Sequence, residues 1–172
     1  MKIALTGTPG TGKTSVANKL ALKYKIMELG EFKEARVQYD EARNTYIVDL
    51  DYLRRKVEEL ENSEIVIIVG HYAHEMPVDI VIVLRCHPDE LRRRLAARNY
   101  SEFKIMENVE AEAMGIITEE ALAHYSEHNV YEIDTTDKIP AEVASAVEDI
   151  ISGNGEKYKE RISYMEEILK WY

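Results

Sequence analysis

The sequence predicts an α/β fold, a doubly wound parallel sheet of five strands with helices on both faces, and three observations carry that expectation. Residues 7 to 15, Gly7-Thr8-Pro9-Gly10-Thr11-Gly12-Lys13-Thr14-Ser15, follow the short run Lys2 to Thr6 and match G-x-x-x-x-G-K-[ST] between a strand and a helix. Ile65 to Val69 and Ile80 to Leu84 are continuous apolar runs, as strands buried on both faces require. Both alternate with segments of helical period, the pattern of a parallel sheet whose ligands bind outside the carboxyl ends of its strands.

The elements follow in order. Lys2 to Thr6 is the first strand, and Val16, Leu20 and Ala21 mark a helix from about Lys13 to Tyr24. Ile26 to Leu29 is short enough to be the second strand. Beyond it the pattern weakens: Glu31 to Gln38 reads as a short helix and Tyr39 to Asn44 as a polar loop before Thr45 to Val48, an excursion from the sheet where a second substrate binds. Leu53, Val57 and Leu60 line a helix from about Asp51 to Glu61. The strand Ile65 to Val69 leads into a loop from Gly70 to Pro77, and the strand Ile80 to Leu84 ends at Arg85. Pro88 suits the first turn of a helix carrying Leu91 and Leu95. Ile105, Val109, Ala113, Ile116 and Ile117 predict one long helix, Asn129 to Ile133 the last strand, and Val143 to Ile151 a helix closed by Ser152-Gly153-Asn154-Gly155. A final amphipathic segment carries Ile162, Met165, Leu169 and Tyr172.

The glycine-rich loop has a physical purpose. It turns successive backbone N–H groups onto one concave surface at a helix N-terminus, where they cradle a polyphosphate. Lys13 reaches the β- and γ-phosphates, and the Thr14 hydroxyl completes a Mg²⁺ shell.

The 172 residues suit one domain. Against 32 Asp and Glu stand 22 Lys and Arg, and a net charge of −10 argues against non-specific adhesion to nucleic acid or an anionic membrane while suiting a basic protein partner. A single cysteine, Cys86, fits a reducing cytosol and reads as a small buried apolar residue. No signal peptide or membrane span is visible, so the expected location is cytoplasmic. Locally the charge reverses: between Leu84 and Lys104, Arg85, Arg92, Arg93, Arg94, Arg98 and Lys104 outnumber Asp89, Glu90 and Glu102, pointing to an anionic ligand. His71 and His74 form His-x-x-His, a poor zinc signature without a third ligand, and His74 reads as loop packing.

With these residues in view, the sequence resembles the adenylate kinase isoenzyme 6 family of small nucleoside monophosphate kinases with a P-loop NTPase fold. The resemblance runs from Lys2 to about Ile151. It is carried by Thr6 to Thr14, Gly70-His71 followed by His74, Met76 to Asp79 leading into Val83-Leu84-Arg85, Arg98-Asn99-Tyr100-Ser101 with Lys104, Glu107 to Glu112, and Asp134-Thr135-Thr136. It implies a monophosphate-binding region at about 28–51, a short lid at about 98–108, and ATP phosphates held by Gly10, Gly12, Lys13, Thr14 and Ser15. Arg98 then reaches those phosphates from the lid, and Lys138 lies in the nucleotide-base loop. Lys33 and Arg36 are candidate contacts to the monophosphate, and His71 is a candidate for ordering the Mg²⁺ waters or the attacking water.

Two departures stand out. Asp-Gly-His is usual in the family after the central strand, but here the run is Val69-Gly70-His71, so the carboxylate expected to hold a Mg²⁺-bound water is absent. The usual Arg-Gly-Tyr at the lid is Arg98-Asn99-Tyr100, a smaller change because Asn tolerates positive φ. The implied activity is Mg²⁺-dependent transfer of the ATP γ-phosphoryl to AMP or a related monophosphate, with ATPase activity and a part in small ribosomal subunit maturation. The alternative is a nucleotide-switched assembly factor that grips ribosomal protein uS11. A kinase of a small metabolite is a third reading, since fold does not fix function. The segment from about 155 to 172 is a C-terminal helical extension whose role the sequence leaves open.

Overall fold

The structure, a computed structural model, describes all 172 residues. β1 (Lys2–Gly7) leads through the glycine-rich loop into α1 (Lys13–Leu20) and β2 (Lys25–Glu28). Two 3₁₀ turns, Leu29–Glu31 and Lys33–Ala35, precede the strands β3 (Arg36–Asp40) and β4 (Thr45–Val48). There follow α2 (Leu50–Glu58), β5 (Val66–Val69), β6 (Ile80–Arg85), α3 (Pro88–Ala97), α4 (Glu102–Ala113) and α5 (Ile116–His124). β7 (Val130–Asp134), α6 (Pro140–Ile151) and the short α7 (Met165–Leu169) complete the chain.

Five strands form one parallel sheet in the order β2-β5-β1-β6-β7. Alternate residues of each strand face opposite layers. Ile3, Leu5, Ile67, Ile82 and Leu84 pack against Val16 and Leu20 of α1 and Val143, Val147 and Ile150 of α6. Ala4, Ile68, Val81 and Val83 pack against Leu53 and Val57 of α2 and Ala121 of α5. Burial on both faces is why these strands read as unbroken apolar runs. No helix is long and apolar enough to cross a membrane.

Three expectations fail here. Residues 31–38 form no α-helix, and Tyr39 and Asp40 belong to a strand rather than a loop: β3 and β4 pair as an antiparallel hairpin with Tyr39 opposite Tyr46. Their rings meet edge to face at 5.0 Å, a cross-strand contact that outweighs the weak helical period, and Asn44 supplies the positive φ of the turn. The long helix expected through Ile117 is two helices. Gly115, at φ +65°, ends α4 and starts α5, moving the apolar stripe from α3, where Ile105 and Val109 meet Leu91 and Leu95, to the sheet. The C-terminal extension is not one helix: it holds a 3₁₀ turn, Glu156–Lys159, and the five-residue α7, joined by irregular chain.

What holds that extension is polar. Arg85, at the end of β6, is 2% exposed and lies between Glu112 of α4 and Glu132 of β7, both equally buried. Arg85 Nε donates to Glu112 Oε1 at 2.5 Å, Nη2 to the Glu112 carbonyl at 3.0 Å, and Nη1 to Glu132 and to the Ile162 carbonyl. Glu132 also accepts from the Thr118 hydroxyl and from Ile162 N–H, each at 2.7 Å. Arg161 adds bonds to the Val130 and Glu127 carbonyls.

Removing the cation while keeping the side-chain volume leaves two carboxylates buried together. Arg85→Met is therefore expected to destabilise the fold by about 3–5 kcal/mol in urea unfolding. A loss below about 1 kcal/mol would mean that the carboxylates find another partner.

Candidate functional site

Two cavities flank the loop between β1 and α1. The first, about 280 Å³, lies toward the hairpin and is lined by Lys13, Thr14, Glu28, Arg36, Tyr46 and His71 among others. On the other side, a second of about 390 Å³ is lined by Gly10, Gly12, Ser15, Arg94, Arg98 and Lys138 with apolar neighbours. Both open beyond the carboxyl ends of the strands, where a doubly wound sheet places its ligands.

The loop is built for close approach. Gly12, at φ +98°, has open space where a Cβ would stand, so its amide can meet a ligand directly. Lys13 folds back over the loop, its Nζ donating to the carbonyls of Gly7 at 2.6 Å and Thr8 at 3.2 Å. Burial, reinforced by the charge of Arg98, pushes its pKa down to about 8, while the carboxylates of Glu112 and Glu28 oppose that fall.

The remaining expected residues divide. Arg98, at the C-terminus of α3, makes no side-chain bond to protein, so its guanidinium is free at the edge of the larger cavity. Asn99, at φ +58°, turns the chain into α4, so residues 98–108 are a tight corner and the first half of a helix. Lys104 of that helix donates to the carbonyls of Arg43 and Asn44, tying α4 to the hairpin turn. Lys138 stands at the larger cavity, its Nζ on the Asp134 carbonyl at 2.7 Å. Arg36 reaches the smaller cavity, stacked 4.6 Å from the Tyr46 ring centre, whereas exposed Lys33 does not line it.

His71 packs against Tyr72 with ring centres 4.2 Å apart. The protein around the ring, and then the charge of Lys13, push it down to about 4, so it is neutral at pH 7. His74 turns away into the core, where its Nδ1 shares a hydrogen bond with the Thr6 hydroxyl and its Nε2 with Glu120. Cys86 is buried, and burial pushes its thiol up to about 11.

Two residues of the site had no individual role assigned from the sequence, although Arg94 stood among the cations that pointed to an anionic ligand. Glu28, the last residue of β2, is paired in register with Val69 and lines both the smaller cavity and a neighbouring one against α1, sharing each with Thr14. Its place at the carboxyl end of a strand beside the glycine-rich loop was the available signal. Burial, then Glu31, raises its carboxyl above the usual range, with Lys13 opposing. Arg94 braces the larger cavity, bonding to the Thr135 carbonyl at 2.9 Å and the Gly10 carbonyl at 3.4 Å.

Residues 3–115 match the family model described as AAA domain. A protein of Archaeoglobus fulgidus named "Putative adenylate kinase" is 46% identical over 92% of this chain and 86% of its own. One of Pyrococcus furiosus with the same name is 44% identical over 88% and 84%. Among solved structures, thymidylate kinase of Candida albicans has a TM-score of 0.59 at 14% identity, covering 94% of this chain and 95% of its own. Deoxyadenosine kinase of M. mycoides reaches 0.58 at 16%, covering 89% and 99%. These two likenesses are of fold.

The depressed pKa of Lys13 has a measurable consequence. An anion at the loop would be favoured by the ammonium form of Lys13, which the free protein loses as pH rises through about 8. ATP affinity, measured by calorimetry, is expected to fall from about pH 7.5 to 9.5, approaching tenfold per unit at the upper end. Lys13→Met is expected to bind more weakly and with a flat profile over that range.

Proposed function

The chain belongs to the family of archaeal proteins named putative adenylate kinase, and on that premise we propose that it transfers the γ-phosphoryl group of ATP to a nucleoside monophosphate, AMP foremost. The observation that supports this reading best is the pair of cavities meeting at one phosphate loop. Gly10, Gly12 and Ser15 face the larger, and Lys13 and Thr14 the smaller. A donor nucleotide in the larger cavity and an acceptor in the smaller bring their phosphates together at Lys13.

Positioning and charge stabilisation are the main catalytic devices of such a transfer. The loop amides and Lys13 hold the donor phosphates, and Arg98, unbound to protein, swings onto the moving group while excluding water. Arg36, stacked on Tyr46, receives the acceptor phosphate. Lys138 borders the base of the donor. Neutral His71 accepts a hydrogen bond from water at the acceptor phosphate without adding charge.

The oxygen donors Thr14 and Glu28 share a cavity wall, which suits a hard cation such as Mg²⁺. When bound, Mg²⁺ neutralises phosphate oxygens. Glu28, beside Val69, thus supplies the carboxylate that position 69 lacks. In the absence of acceptor, water entering the smaller cavity gives a slow ATPase. The reading extends to a part in small-subunit maturation through a nucleotide-dependent grip on uS11; the net charge of −10 supports a basic partner of this kind. Pull-down of uS11 at physiological salt, with and without ATP, tests that extension, and no binding in either state rejects it.

ADP formation from ATP and Mg²⁺ tests the kinase reading. AMP is expected to stimulate it strongly in the parent, with Lys13→Ala and Arg98→Ala each slower on the order of 10²-fold. Glu28→Gln is expected to raise the Mg²⁺ concentration needed for half-maximal rate, and Val69→Asp to restore it. Absence of diphosphate with AMP, CMP, UMP and dAMP alike would overturn the reading.

A further inference from the structure

The buried Arg85 cluster lies outside both nucleotide cavities, yet one bond carries it to the phosphate loop. Thr8 Oγ1 donates to Glu112 Oε2 at 3.2 Å, and both residues are buried. Thr8 is also the hub of the loop. Its carbonyl accepts from Thr11 N–H at 3.2 Å, the Thr11 hydroxyl at 2.8 Å and Lys13 Nζ at 3.2 Å. Whatever fixes Thr8 thereby fixes the turn that presents the amides of Gly10 and Gly12.

We infer that Glu112 is a positioning residue for the phosphate loop, acting through the Thr8 hydroxyl. Its other oxygen is held by Arg85, which is held in turn by Glu132 and the Ile162 carbonyl, so the carboxylate cannot move with the loop. One guanidinium faces two buried carboxylates, and burial pushes the Glu112 carboxyl up to about 7 against the pull of Arg85, so the cluster gains a net negative charge as Glu112 ionises. Glu112 also favours the ammonium form of Lys13, whose Nζ lies on the carbonyls of the same loop. A neutral residue of the same shape would hold Thr8 without that second effect. The groups facing Glu112 are Arg85, Glu132, Thr8, Lys13 and, from the C-terminal segment, the Tyr164 ring, which lies 5.2 Å from the Arg85 guanidinium. The C-terminal segment therefore reaches the loop through an unbroken chain: Ile162, Glu132, Arg85, Glu112, Thr8.

The inference rests on the proposed reading of the loop as an ATP site, and amide hydrogen exchange of the unliganded protein tests it without nucleotide. Thr8→Val removes the hydroxyl and keeps the shape. It is expected to speed exchange of amides 9–13 about tenfold or more, with β5 unchanged, and to weaken ATP binding by a similar factor. Thr8→Ser is expected to exchange like the parent. In the double variant with Glu112→Ala, the loop is expected to exchange no faster than with Glu112→Ala alone, because both changes break one bond. Parent-like exchange in Thr8→Val, or strict additivity in the double variant, would overturn the inference whatever ATP does. A loop that responds as expected in a protein that binds no ATP would uphold the positioning and remove the kinase reading instead.

Discussion

The constraint on which the structure depends is the burial of one cation between two anions. Arg85 at the end of β6 must be matched by Glu112 and Glu132, and those carboxylates must be matched again by Thr8, Thr118 and the Ile162 amide. Taking three charges out of water is costly, and only this complete set of partners offsets it. Satisfying it fixes the end of α4 against β6, the start of α5 against β7, and the C-terminal segment against both. The break at Gly115 lies against the same cluster, within ordinary contact of the Arg85 guanidinium, and it is the φ of +65° rather than lack of space that asks for glycine there.

From that frame the electrostatics of the site follow. The protein as a whole is acidic, but Lys13, Arg94 and Arg98 converge on the loop and Arg36 stands across it. Lys13, kept in reserve on backbone carbonyls, has little counter-charge beyond Glu112 and Glu28. Arg94 is already paired with Glu90, and the repulsion that remains is between Lys13 and Arg98, which an anion at the loop would relieve. Neutral His71 adds nothing to that repulsion.

Much of the fold was legible in the sequence because its signals are local. The glycine-rich loop carries its own conformational requirement, and β5 and β6 announce burial on both faces by unbroken apolar content. The hairpin was not legible: Tyr39 and Tyr46 stabilise each other across strands, and a polar run with a weak helical period hides that partnership. Gly115 was visible as a residue, but the stripe on either side of it continues in helical phase, so only packing reveals the corner. In the site, Lys13, Thr14, Gly10, Gly12, Ser15, Arg98, Lys138, Arg36 and His71 all line one of the two cavities, whereas Lys33 lies outside them. Glu28 went unread because a lone carboxylate at a strand end has no motif. The Thr8–Glu112 bond joins residues 104 positions apart, a distance across which periodicity and spacing say nothing.

The central claim is that two nucleotides sit on either side of one phosphate loop with their phosphates meeting at Lys13. Calorimetric titration with two adenosines joined by a five-phosphate chain tests it most directly, since one such molecule spans both cavities. The account predicts one molecule bound per chain, at least about tenfold tighter than ATP, and displaced by ATP and AMP added together more effectively than by either alone. Binding no tighter than that of ATP, with AMP unable to compete, would contradict it.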